Sequence, residues 1–229
     1  IVTSHCWHHN RYLLISIFNC YTCFFFRLPC GFLQPKMQQQ CQTKITSIGI
    51  AIPGTVDKTS IIRSVNLGLE NYNIVENLKK KIDLPIKIKN DAKCAGLAEN
   101  KFGSLKDYDR AVFLTLGTGI GGAIIIENEL LNTGDLPGME VGHMIIQKDG
   151  LQCKCGNKGC WEQYSSMKAF KNGIISLLNL PENTDSEKIL QILTNKINVD
   201  DQQINKYIEN YIDSILIGLS NIINIIQTT

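Results

Sequence analysis

Acidic residues are missing from the first 44 positions of this 229-residue chain, and charge of either sign is scarce throughout. There are 23 Lys and Arg against 21 Asp and Glu, a net charge of +2. That balance offers no basic footprint for nucleic acid and no acidic tail. No apolar run reaches the roughly 20 residues that span a bilayer. The nearest, Tyr12–Phe26, is interrupted by Asn19 and closed by Arg27, so a membrane anchor there is the weaker reading. No internal repeat is present. An odd count of nine cysteines excludes a fully paired secreted disulfide framework. What is abundant is apolar surface, 44% of the residues, which with the low net charge excludes global disorder. The length is enough for one large domain or two small ones.

The pattern changes near residue 44. Before it lie five cysteines, three of the four histidines (His5, His8, His9), a Phe24-Phe25-Phe26 run and a Gln-rich tract. No helical or strand period persists there, so residues 1–44 are expected to be an atypical leader outside the fold. The Cys20-Tyr-Thr-Cys23 spacing lacks a strand–helix context that would make it a redox motif. From Lys44 the chain is orderly. Residues 45–52 read as a strand ended by Pro53-Gly54. The spacing predicts a helix over 73–82, a strand over 84–89 and a helix from Asp91 to about Phe102. Two apolar runs, 111–116 and 123–127, flank a glycine-rich turn. Helices are expected over 186–198 and 202–226, the last with a stripe at Ile204, Ile208, Ile212, Ile215, Leu219, Ile222 and Ile226. Strands alternating with helices indicate the α/β class.

Four groups of residues could carry chemistry. Cys153-Lys-Cys-Gly-Asn-Lys-Gly-Cys160 supplies three soft thiolate ligands, and tetrahedral zinc needs four. His143 is the nearest further candidate and stands alone outside the leader. A closed Cys3His zinc site is the natural reading, against three free thiols by chance. Leu116-Gly-Thr-Gly-Ile-Gly-Gly122 could turn backbone N–H groups toward phosphate, with Thr118 adding a hydroxyl. It lacks the Lys of a P-loop and a following helix, so a plain hairpin turn stays open. Asp91, after a strand and before a helix, could be a general base or only a helix N-cap. Glu140, His143 and Glu162 could face a polar ligand, or the two carboxylates could be solvated loop charges.

In this order these residues resemble the ROK family of repressors, open reading frames and sugar kinases. The resemblance runs from about Ile45 to Ile226. It is carried by Gly49-Ile-Ala-Ile-Pro-Gly-Thr-Val-Asp57, Asn66-Leu67, Asn90-Asp91-Ala92, the glycine turn, Glu140-Val-Gly-His143 and Cys153-x-Cys-Gly-x-x-Gly-Cys-x-Glu162. It implies a two-lobed, actin-like (ribonuclease H-like) ATPase fold. It also implies ATP- and Mg2+-dependent, glucokinase-like phosphorylation of a hexose or N-acetylhexosamine. On the resemblance Asp91 is the base, and Asn66, Asn90, Glu140, His143 and Glu162 bind the sugar. Gly117, Thr118 and Gly119 belong to the ATP phosphate site, and His143, Cys153, Cys155 and Cys160 hold a structural zinc.

The family's Asp-x-Gly-Gly-Thr phosphate motif has no counterpart in residues 1–44, whose one glycine is Gly31. Its Gly-Gly-Gly adenosine turn would lie beyond Thr229. The expectation is therefore a chain incomplete at both flanks of the nucleotide site, with apolar edges exposed. Residues 45–110 would be the rest of the small lobe, and 111–229 the large lobe with the zinc site. A sugar-binding or regulatory remnant without turnover is the alternative. A DNA-binding repressor would need a helix-turn-helix, which residues 1–44 do not show. The implied partners are a small sugar, ATP and a second copy in a homodimer, in the cytoplasm, with no nucleic acid and no membrane.

Overall fold

The computed structural model describes residues 2–6, 12–17, 46–131 and 139–227. Two compact units divide inside one helix: residues up to Ala98 belong to the first, and the described residues from Glu99 on to the second.

The first unit is built on a four-stranded sheet in the order β1 (Val2–Cys6), β2 (Tyr12–Ile17), β3 (Ser47–Ile52) and β7 (Ile86–Asn90). β1 and β2 are antiparallel, while β2–β3 and β3–β7 are parallel. The first two strands, β1 and β2, fall in the segment expected to stand apart. The Tyr12–Ile17 run is apolar at nearly every position, the pattern of a strand in a parallel sheet rather than of an alternating edge. The Cys20–Cys23 spacing lies outside the described residues. Register pairs Ile48 with Ile86 and Ile50 with Ile88, so one pleat face presents isoleucines to a single core.

Parallel strands need a crossover. Here it carries a small antiparallel sheet, β4 (Thr55–Val56), β5 (Ile61–Ser64) and β6 (Leu69–Tyr72), then helix α1 (Ile74–Lys79). Asn73 caps α1, its side chain accepting from the Glu76 N–H at 3.0 Å. Ile61 and Val75 reach the same core. Helix α2 (Asp91–Phe102) leaves directly from β7.

In the second unit β8 (Arg110–Leu116), β9 (Ile120–Ile126) and β10 (Glu129–Leu130) form an antiparallel sheet. A 3-10 turn, Val141–His143, follows. Helices α3 (Glu162–Ser165), α4 (Met167–Leu177), α5 (Ser186–Asn198) and α6 (Gln202–Ile226) complete it. Asp185 and Asp201 cap α5 and α6 through their side chains, which is why both begin where the apolar period begins. Helix α4 was not expected from the sequence. Its start is set by Ser166, which accepts from the Ala169 N–H at 3.0 Å.

The stripe expected along α6 holds at its ends and fails in its middle. Ile204 is buried with Ile174, Ile175, Ile189 and Leu193, and Ile222 and Ile226 with Ile120, Ile124, Val141 and Trp161. Ile212 is exposed, as are Leu216, Ile217, Ile223 and Ile225. The 25-residue helix serves two separate cores with one face, and Ile212 falls in the stretch between them. Between them Gly218 is buried although it carries no apolar side chain, because the Trp161 indole lies against its Cα. The indole N–H also donates to the Ser214 carbonyl at 2.9 Å.

Replacing Gly218 by Ala should therefore destabilise the chain. Its Cβ would clash with the ring carbons of Trp161. Overpacking costs about 1–3 kcal/mol, more than the roughly 1 kcal/mol that alanine returns in helix propensity. A lower thermal midpoint by circular dichroism, with altered tryptophan emission, is the expected outcome.

Candidate functional site

The site builds outward from four side chains. The ligand atoms of His143, Cys153, Cys155 and Cys160 all lie within 4.8 Å of one another. Cys153 Sγ is 3.6 Å from His143 Nδ1, and Cys155 Sγ is 3.5 Å from Cys160 Sγ. Zinc bonds of about 2.0–2.3 Å put tetrahedral ligand atoms roughly 3.3–3.8 Å apart. The donor set and its spacing therefore fit a closed tetrahedral site for a divalent metal.

Local chain chemistry explains the convergence. Gly156 and Gly159 both have positive φ, +105° and +81°, which lets the loop reverse twice between the cysteines. The Cys153 N–H donates to the Asn157 carbonyl at 2.8 Å, and the Trp161 N–H to the Met144 carbonyl at 2.8 Å, tying the loop to the histidine segment. Cys153 and Cys160 are buried. Burial pushes the Cys160 thiol up to about 12, with the neighbouring thiols adding to it, and burial likewise raises Cys153. For Cys155 burial is outweighed by the Asn157 N–H and the two neighbouring thiols, and its thiol lies below the usual range. The two reluctant sulfurs, Cys153 and Cys160, become thiolates when a cation compensates them.

Glu162 begins α3 and sits over this cluster. Its side chain is 19% exposed, so it is not a solvated loop charge. Oε1 is 3.4 Å from Cys153 Sγ and 3.8 Å from His143 Nδ1. Oε2 lies where a Cβ on residue 119 would be, 2.5 Å from that position. The glycine turn 117–119 and the carboxylate are therefore in contact, and Gly119 is small because Glu162 occupies the space. The Gly117 N–H is engaged by the Gly119 carbonyl at 2.9 Å, and the Gly117 carbonyl accepts from the Lys168 N–H at 3.2 Å. Thr118 is exposed at the tip of the turn. Gly142 packs against the Ile120 backbone, which sets the 3-10 turn on β9. Glu140 is exposed at the start of that turn, its carbonyl accepting from the His143 N–H at 2.9 Å. The second unit thus joins the four candidate metal ligands, Glu140, Glu162 and the glycine turn.

The first unit holds Asn66, Asn90 and Asp91. Asn90, not Asp91, is the cap of α2: its Oδ1 accepts from the Lys93 N–H at 3.0 Å. Its Nδ2 donates to the Gly54 carbonyl at 3.0 Å, locking it to the Pro53-Gly54 turn. Asp91 is thereby freed from capping that helix. Its Oδ1 accepts from the adjacent Ala92 N–H, at 2.9 Å. Burial raises its carboxyl above the usual aspartate range, although the Ala92 amide pulls the other way. Asn66 is exposed in the turn between β5 and β6, two residues past Ser64, whose hydroxyl donates to the Pro53 carbonyl at 2.5 Å.

Gln163 carries no signal in the sequence, yet its Nε2 is 3.5 Å from Cys153 Sγ and 3.2 Å from Glu162 Oε1. A single glutamine after a glutamate has no spacing to mark it.

Chelation separates a metal-held site from a merely thiol-lined one. The purified chain should carry about one zinc, and His143→Ala or Cys160→Ser should lose it. Removing the ion should lower the thermal midpoint, by about 4 kcal/mol of stability where free metal had stood at a thousandfold excess over its Kd. Elemental analysis and thermal denaturation before and after chelation check both.

Among known proteins, the ROK family model matches residues 31–229. The xylose repressor of Bacillus subtilis is 32% identical over 181 residues, 79% of this chain and 45% of its own length. A glucokinase of Streptomyces coelicolor is 37% identical over 128 residues, 55% of this chain and 40% of its own length. The crystal structure of a ROK hexokinase from Thermus thermophilus superposes with a TM-score of 0.71 at 23% identity, covering 85% of this chain and 64% of that one. The chain spans less than half the length of these two curated relatives. Its α/β fold is that of the actin-like ATPase class to which the ROK sugar kinases belong. No described helix is long and apolar enough to cross a membrane.

Proposed function

This chain belongs to the ROK family, and from that premise we propose that it derives from an ATP-dependent sugar kinase acting on a hexose or N-acetylhexosamine, glucokinase-like and cytoplasmic. The observation that carries the reading is Asp91: a half-buried carboxylate, relieved of capping by Asn90, with its basicity raised by burial. As the sugar hydroxyl attacks the γ-phosphorus and the bond to ADP breaks, Asp91 accepts the hydroxyl proton. Asn66, Asn90, Glu140 and Glu162 hydrogen-bond sugar hydroxyls and hold them in place. His143 does so through Nε2, since Nδ1 faces the sulfurs. Phosphoryl transfer needs mainly positioning and charge neutralisation, roles that hydrogen-bonding side chains of these kinds can fill.

Gly117, Thr118 and Gly119 form part of the phosphate site, to which the exposed Thr118 adds a hydroxyl donor. Mg2+ accompanying ATP would neutralise phosphate charge. His143, Cys153, Cys155 and Cys160 would hold zinc as a structural ion that stiffens the loop bearing Glu162.

A second reading has its own support. The match to the xylose repressor covers more of this chain than the match to the glucokinase. In that reading the same side chains bind sugar without transfer, in a regulatory protein. Phosphate transfer from labelled ATP to a panel of sugars separates the two. A kinase transfers, and Asp91→Asn lowers kcat by about 10²–10⁴ while the sugar Kd changes little. Sugar binding without transfer by the unmutated chain would favour the regulator.

The pH profile follows from the raised Asp91 carboxyl. A base must be ionised to work, so activity is lost as pH falls through its pKa. The acidic limb of kcat/KM should lie above the usual aspartate range. A limb at or below that range would remove Asp91 from the role.

A further inference from the structure

Gln163 lies between the metal cluster and Glu162 and is used by neither the motif nor the proposed chemistry. Cys153 Sγ and Glu162 Oε1 are 3.4 Å apart, and Gln163 Nε2 stands 3.5 Å from the first and 3.2 Å from the second. While Cys153 is a thiol, its S–H can donate to the carboxylate and the pair needs nothing else. A metal-binding sulfur is a thiolate and has no proton to give. Two anionic acceptors then face each other, one on a side chain 2% exposed and the other on one 19% exposed, where water screens them poorly. A carboxamide nitrogen carries two N–H groups, one for each acceptor. The reverse amide orientation would turn a carbonyl oxygen onto both anions.

We propose that Gln163 is a positioning residue whose two amide N–H groups bridge the Cys153 sulfur and the Glu162 carboxylate, so that Glu162 can stay over Gly119 when a metal occupies the cluster. Its consequence is a link between the two sites: loss of the bridge weakens the metal and loosens the carboxylate assigned to sugar. The bridge rests on the zinc reading above, and its sugar consequence on the kinase reading. It does not require turnover.

The test uses the full chain with Gln163→Leu, similar in size but without donors, and Gln163→Glu, which keeps the shape and substitutes a third anion. Zn2+ alone is titrated against a chelating indicator, Co2+ alone is read by its thiolate-to-metal charge-transfer absorption, and glucose is the sugar probe. The bridge predicts that Gln163→Leu lowers zinc affinity about tenfold or more, as loss of an outer hydrogen bond to a ligand does. Freed of a hydrogen bond, the sulfur is a stronger donor, so the cobalt band moves to lower energy. A glucose Kd raised severalfold in the zinc-loaded variant would follow. A purely structural glutamine would lower the melting point and leave the cobalt band in place.

Zinc affinity within twofold of the unmutated chain, together with an unmoved band, overturns the proposal. Should Gln163→Leu fail to fold, Gln163→Glu answers through the same band. An unmutated chain that takes up no zinc removes the metal reading and the bridge together. One that binds zinc but no sugar removes the sugar reading alone and leaves the zinc and cobalt results to decide the bridge.

Discussion

One imidazole and three sulfurs brought within 4.8 Å are the constraint on which the candidate site depends. The stretch from Met139 to Trp161 has almost no regular structure beyond one 3-10 turn and two isolated bridges. Loops of this kind are held by whatever ties their ends together. Here the ties are the cluster, the Trp161 N–H to Met144, and the Trp161 indole seated on Gly218 of the long helix. A closed metal site would add covalent-like bonds between segments ten or more residues apart, which backbone hydrogen bonds alone do not supply. Glu162 starts its helix one residue beyond that anchor, so its placement inherits the rigidity of the cluster and the indole together.

In the first unit an isoleucine-lined parallel sheet ends β7 at Asn90, where the chain turns into a helix. Asn90 meets two local demands at once, the free N–H groups of the helix start and the carbonyl of the Pro53-Gly54 turn. That division of labour is what leaves an ionisable side chain at the next position without a full capping role. A carboxylate that caps its own helix is stabilised as an anion and is a weaker base; one half-buried beside the cap is the reverse. The uncommitted carboxylate and the cap are neighbours because the helix needs only one of them.

Much of this was legible from the residues. The helical period over 186–198 and 202–226, the Asp91–Phe102 helix and the hairpin around 117–119 coincide with the observed elements, because caps and apolar spacing act locally. The cysteine spacing and the lone histidine pointed to a metal site, and the structure brings those four side chains together. Other features were not legible. Strand β2 looked like part of a leader because a short, nearly continuous apolar run has no period to detect. Helix α4 went unnoticed because its opening turn, Met-Lys-Ala-Phe, has no acidic residue to announce it. The α6 stripe misled at Ile212, since periodicity says which residues align and not where a helix leaves one core for another.

The sequence by itself determined the chemistry available: three thiols at close spacing, one imidazole, a carboxylate two residues after the last thiol, and an Asn-Asp pair at a strand–helix junction. These are properties of residue type and short-range spacing, which the chain carries whatever its fold. Only the tertiary structure decided which member of the Asn-Asp pair caps the helix and why Gly119 must lack a side chain. It alone brought Gln163 to two acceptors that lie nine residues apart in sequence. Each of those outcomes depends on a contact of a few ångströms between segments distant along the chain, and such distances exist only once the packing that closes them has formed.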